Sequence, residues 1–134
     1  MVATQDTRMV SEATDYRAFH KEVRDLPPTE APTQCRFTSG LMTRSIFMKA
    51  GSAHLSKIHA SEHQFVILQG ACLVSENGGP QVLMVAPHHG ITKPGTWRKL
   101  FIVMDCIWLT MHPTDKTTVE EVEADIIRPI ESLA

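Results

Sequence analysis

The cysteines of this chain make no pair. Cys35, Cys72 and Cys106 are an odd set, far apart, with no C-x-x-C. That excludes a disulfide framework, points to a reducing cytosol, and leaves each thiol as a small buried hydrophobe. A basic cluster is missing too: 13 Lys and Arg stand against 15 Asp and Glu, for a formal net charge of −2. A nucleic-acid partner is not expected. No apolar run approaches the ~18–20 residues of a membrane span. The opening MVATQDTRMVSEATDY lacks the apolar core of a secretion signal. There is no glycine-rich phosphate loop, no serine in a nucleophile elbow, no cysteine beside a histidine base, and no repeat at solenoid periods. What is left is a chain of 134 residues, long enough for one domain with a real core.

Its character changes twice. Near the start, Tyr16, Phe19, Val23 and Leu26 recur at spacings of three and four, behind a candidate cap at Ser11. Pro27-Pro28 stops this helix, and TEAPTQ follows as a linker. A helix with one narrow apolar stripe must dock, on its own barrel or on a neighbouring subunit. From residue 35 onward, short β-branched and apolar runs alternate with glycine and proline: LMTRSIFMKA, AHLSKIH, HQFVILQ, ACLVSE, QVLMVA, WRKLFIVM, CIWLTMH. Strands at this spacing argue for a sandwich or barrel. Asn77-Gly78-Gly79 is its clearest hairpin turn. After His112, Thr117 or Thr118 can cap a second helix, with Glu120 or Glu121 as the return partner. Val119, Val122, Ile126 and Ile127 are its apolar side, and Pro129 ends or kinks it. The expected organisation is a helical arm and linker over 1–34, a β-barrel over 35–113 and a C-terminal helix over 114–134.

Within the β-region, Gly51, His59, His63 and Gly70 precede Lys93-Pro94-Gly95-Thr96-Trp97-Arg98. This resembles the two-part signature of cupins, which implies a mainly β fold, the double-stranded β-helix or jelly roll. Lys57 stands where the signature has its first histidine, His59 where it has its second, His63 where it has glutamate, and Arg98 near its last histidine. A closer resemblance, over about residues 37–123, is to a cupin-like family encoded by tailed bacteriophages. It rests on SKIHASEH, PGTWR and DCIWLTMHPTDKTTVEEVE. Cys35-Arg36 departs from it, standing where such proteins tend to show histidine before an aromatic. That family implies no particular reaction. It does imply a host-cytoplasmic or virion-associated accessory protein, with other phage structural proteins as partners.

Strand parity and jelly-roll topology together suggest a site. His59 ends one strand and His63 opens the next, with Ala60-Ser61-Glu62 as the turn. His112 shares a face with Thr110, Trp108 and Cys106 on the last strand. The strand beginning at His63 pairs antiparallel with that last strand in a jelly roll, so His63 neighbours His112. Such a trio suits a divalent transition metal, Zn, Ni, Fe or Cu, with Glu62 as a fourth ligand, an orienting partner or a solvated carboxylate. The opposing reading is a set of unmetallated imidazoles. Arg98 either forks onto a carboxylate or phosphate or pairs with a surface acid. Lys57 is a cation, a base or solvent-facing cover. Trp108 walls the pocket, and Trp97 covers an edge or a subunit interface. Cys106, about 20 Å along the strand, is too far to join. His54 is expected to point away, and His88 and His89 to sit exposed in a loop. The function so outlined is a homo-oligomeric, metal- or ligand-binding small cupin. The alternatives are a metal-dependent oxygenase, isomerase or lyase, disfavoured by the lack of a clear carboxylate base, and a purely structural capsid or tail jelly roll.

Overall fold

The computed structural model describes residues 16–26 and 30–129. The Ser11 cap, the Pro27-Pro28 stop and the chain beyond Pro129 lie outside the described residues. The elements are helix α1 (residues 16–24), then β1 Thr33–Thr38, β2 Leu41–Met48, β3 Ala53–Leu55, β4 Ile58–His59, β5 His63–Glu76, β6 Gln81–Val85, β7 His88–Thr92, β8 Arg98–Pro113, α2 Val119–Ile126 and β9 Ile127–Arg128. Seven strands form one antiparallel sheet in the order β1-β2-β8-β5-β6. β3 also pairs with β8, β7 also pairs with β5, and β4 and β9 make a separate pair.

Two expected strand breaks are absent. HQFVILQ and ACLVSE form the single 14-residue β5, and RKLFIVM and CIWLTMH fall within the 16-residue β8, which starts just after Trp97. Gly70 and Asp105 are bends rather than ends, and they meet. Gly70 has φ +91°, and a Cβ there would lie 2.1 Å from the Asp105 carbonyl oxygen. The ladder slips register around Gly70, as a bulge does where a sheet turns a corner. Before the corner Phe65 faces Thr110 and Ile67 faces Trp108; after it Cys72 faces Ile102 and Val74 faces Leu100. The sheet thereby folds over, and Arg98 of the far part comes to lie above the Phe65 and Trp108 rings of the near part.

Between the two layers sits the core of Met48, Phe65, Ile67, Cys72, Val74, Leu100, Ile102, Cys106 and Trp108. Cys72 and Cys106 are fully buried free thiols in it. The hydrogen bond between the Cys72 and Cys106 thiols and then burial push the Cys72 pKa up, which keeps it an inert hydrophobe. The Asn77-Gly78 turn closes β5 onto β6 with both residues at positive φ.

The helices dock on this same chain. Tyr16 packs with Ile58 and Trp97, with Phe19 beside them, and the Tyr16 hydroxyl donates to the Ser56 carbonyl at 3.2 Å. Trp97 is therefore an internal anchor for α1, 1% exposed, not the cover of an edge or subunit interface. Leu26 leaves the stripe and is exposed. In α2 the Thr118 hydroxyl accepts from the Glu121 amide at 3.3 Å and donates to the Glu121 carboxylate at 2.9 Å. Val122 and Ile126 bury against Met42 with Cys35 alongside, each contributing about 1.5–3 kcal/mol. The helix stops before Pro129: Ile127 is already extended and pairs with His59.

Candidate ligand and metal site

Three elements bring the histidines together. His59 is fixed on β4 by its pairing with Ile127, by its amide donating to the Thr96 carbonyl at 2.9 Å and by its carbonyl accepting from Gly95 at 2.7 Å. His63 opens β5 after the Ala60-Ser61-Glu62 turn. His112 comes near the end of β8, where Gln64 faces Met111 and Phe65 faces Thr110. The antiparallel register thus sets His63 beside His112. Ring centroids are 4.9 Å apart for His59 and His63, and 4.3 Å for His63 and His112.

The rings are neutral near pH 7. Burial, then the charges of His63, Arg98, His112 and Arg44, hold His59 down to about 3. Burial, His63 and Arg44 do the same for His112, also to about 3. Burial lowers His63 as well; its bond to the Ser61 carbonyl opposes this and Arg98 adds to it. That bond, 3.1 Å from His63 Nδ1, assigns the ring proton to Nδ1, because a carbonyl only accepts. His112 Nε2 is bound to the Thr110 hydroxyl at 2.8 Å. What remains is His59 Nδ1, His63 Nε2 and His112 Nδ1, all buried and without a partner.

Beside the rings lies a cavity of about 280 Å³. Ile46, Met48, Leu100 and Trp108 supply much of its apolar wall, and His59, His112, Arg44 and Arg98 its polar part. Trp108 stacks on Phe65 at 4.9 Å and 11°. The side chain of Arg98, 3% exposed, donates from Nε to Glu76 at 2.8 Å and from Nη1 to the Thr92 hydroxyl at 3.0 Å. Its face lies 4.6 Å from the Phe65 centroid. Lys57 is exposed at the rim.

Some sequence expectations need correction. Glu62 does not turn toward the histidines: it is exposed and paired with Lys93 at 2.6 Å, and that partner lowers its pKa. A turn residue this solvated reaches the nearest cation instead of the barrel. His54 does not point away; it lines the cavity, with Nε2 2.8 Å from the Ser52 hydroxyl. Its parity relative to His59 was misleading because β3 and β4 are separate strands. His88 and His89 lie on β7 rather than in a loop, and His88 is half-buried with its ring 5.9 Å from Phe65. Arg44 went unnoticed. Its signal was a lone charge on the buried parity of β2, in step with Met42 and Met48.

The donor chemistry fits a metal: neutral imidazoles with free nitrogens at one place. The donor geometry is not closed, since among the described residues no three His, Cys, Asp or Glu side chains stand in a metal-holding arrangement. No described helix is long and apolar enough to cross a membrane.

A twisted antiparallel sheet folded at paired corners, with helices at both ends, is the jelly roll of cupins. The sequence matches no protein-family model and no curated protein. The likeness comes from solved structures. The cupin domain of Cnp3 from Schizosaccharomyces pombe is similar at 17% identity over 69% of this chain and 67% of that one, TM-score 0.54. An acetylacetone dioxygenase from Acinetobacter johnsonii is similar at 22% over 66% of each chain, TM-score 0.52. A predicted oxalate decarboxylase from Thermotoga maritima is similar at 17% over 62% of this chain and 79% of that one, TM-score 0.52. At these identities the likeness is one of fold. The phage-family resemblance finds no support among them.

Proposed function

We propose that this chain is a small-molecule-binding jelly roll that carries a divalent transition metal, Zn, Ni, Fe or Cu, on His59, His63 and His112. The observation behind this reading is the set of buried, partnerless nitrogens His59 Nδ1, His63 Nε2 and His112 Nδ1 on neighbouring rings. A buried polar atom left without a bond costs about 1–3 kcal/mol. Five of the six such atoms among the described residues belong to His59, His63, His112, Arg44 and Arg98. A ligand and an ion there would satisfy what the fold leaves open. The metal would supply a Lewis acid beside the cavity. The chain's own residues exclude water with Trp108, Leu100 and Ile46, and orient a bound molecule through Arg98. Binding is favoured over turnover because no Asp or Glu is among the residues lining the cavity. A metal-dependent enzyme would have to move protons through imidazoles or through Lys57 at the rim.

The test is elemental analysis of protein produced with these metals supplied, for the wild type, His59→Ala and His112→Ala. Stoichiometric metal in the wild type and its loss in both folded variants is expected. Metal-free wild type, or variants that keep the ion, would refute the reading.

A second reading, assembly with copies of itself, is favoured by the outer face of the far layer. Phe101, Leu73 and Leu83 stand in one cross-strand row, and Val103 and Val85 are exposed. Apolar surface of this kind marks an interaction site. An accessory or virion role, as the phage-family wording suggests, would use such a face. Light scattering of the wild type and of Phe101→Lys tests it: an oligomer that the variant dissociates is expected, and a monomeric wild type contradicts it.

A further inference from the structure

The cavity is lined by two guanidinium groups, Arg98 buried and Arg44 half-buried, and neither is fully bonded. Arg98 uses Nε and Nη1 on Glu76 and Thr92, and its Nη2 is buried without a partner. Arg44 reaches Glu123 with Nη2 at 3.6 Å, and its Nε is likewise buried without a partner. Guanidinium cannot shed its charge to escape this, because it stays protonated in proteins. Each group therefore keeps an N–H donor out of water.

We propose that the ligand of this cavity is a small organic acid whose carboxylate is held by Arg98 and Arg44 while its apolar body lies against Trp108, Leu100 and Ile46. Three features carry the choice. The open groups are donors, and charge-assisted bonds to a carboxylate are the strong way to fill them. Both residues line the same space. Arg98 is also held in place before any ligand arrives, by Glu76, Thr92 and the Phe65 face, which limits the ordering cost of binding. The influence of both cations on His59 is consistent with their charge being felt at this spot. The apolar lining and the volume of about 280 Å³ suit a compact acid with a hydrocarbon body rather than a sugar or a nucleotide, which need many polar partners. Phosphate shares the charge and lacks the apolar body. The inference rests on reading the cavity as a ligand site; it does not need the metal.

The experiment titrates benzoate and hexanoate, with benzamide, hexanol and inorganic phosphate as controls, into the EDTA-treated full chain and again into the zinc-loaded chain. Chemical-shift changes in the amide spectrum report both affinity and location. The two acids should bind the metal-free chain at Trp108 and Leu100, and the neutral isosteres should bind at least about tenfold more weakly, as loss of a charge-assisted bond implies. Arg98→Met and Arg44→Met should each weaken the acids about tenfold or more while the spectrum stays folded; Arg98→Lys, which keeps charge without the fork, should fall between. Equal binding of benzamide and benzoate, unchanged acid affinity in both methionine variants, or binding of phosphate alone would overturn the proposal. Acids that bind a chain unable to load metal would sink the metal reading and leave this one standing. Metal loading without acid binding would do the reverse.

Discussion

The two layers of this barrel share the same two long strands, β5 and β8, yet their inner faces differ. Beyond the Gly70 and Asp105 corner, β5 and β8 turn Cys72, Val74, Leu100 and Ile102 inward, an apolar lining whose one buried charge, Arg98 at its end, reaches across to the Phe65 and Trp108 rings of the near layer. On the near side they turn in His63, Thr110 and His112 beside Phe65, Ile67 and Trp108. The far layer reads as ordinary core, where close packing sets the energy. The near layer holds buried nitrogens with no partner, an arrangement that lowers stability and that packing alone would not keep. Sites of function are where a fold gives up stability in this way.

The corner is common to both layers, so breaking it should have the largest effect. Gly70→Ala would set a methyl 2.1 Å from the Asp105 carbonyl oxygen at a left-handed backbone position. A loss of about 4 kcal/mol or more is expected, seen as insoluble protein or a collapsed melting temperature. A melt close to wild type would mean the corner yields easily.

Next come paired substitutions that sharpen the contrast. Ile102→Ala, in the fully buried far lining, should cost about 2–5 kcal/mol in denaturant titration. His112→Leu should stay within about 1 kcal/mol of the wild type, because the unsatisfied Nδ1 it removes offsets the Thr110 hydroxyl it leaves without a partner. If His112→Leu costs as much as Ile102→Ala, the histidines are structural and the contrast fails.

Acid should act through the near-layer histidines and through His54 on β3, whose pKa burial also lowers. His59 and His112 have folded pKa values near 3, below the ordinary value of about 6.5 for an unfolded histidine. The unfolded chain binds protons first, so their neutral-form stability is complete above about pH 6.5 and declines as pH falls toward 3. The slope for the metal-free protein should reach about 1.4 kcal/mol per pH unit for each histidine, and His112→Leu should flatten it. Equal slopes in the two proteins would contradict the shift. The smallest effect is at the α2 cap, remote from both layers: Thr118→Ala should cost about 1 kcal/mol, read as a small drop in melting temperature with unchanged ligand binding.

The sequence disclosed this contrast unevenly. Alternation told which residues share a face, and the jelly-roll topology implied by the cupin resemblance told which strands pair; together they set His63 beside His112. The helix caps were local chemistry and equally readable: Thr118 and Glu121 do what their types dictate. The corner was not readable. A glycine with a break in the apolar run looks alike as a turn or as a bulge, and only the meeting of Gly70 with Asp105, 35 residues on, tells them apart. Glu62 and His54 were obscured for a related reason. Whether a side chain near a strand end turns to the barrel or to solvent depends on neighbours distant in sequence, such as Lys93 for Glu62. The apolar outer row of Phe101, Leu73 and Leu83 needed the register of three strands.

The central claim, that the partnerless ring nitrogens of the near layer are the donors to a metal, is tested most directly by long-range proton–nitrogen correlation spectra of the histidine rings with and without zinc. His59 Nδ1, His63 Nε2 and His112 Nδ1 should lose their free lone-pair signals when zinc is added, while the exposed His20 and His89 keep theirs. Unchanged signals for the three buried rings, or changes confined to the exposed ones, would contradict it.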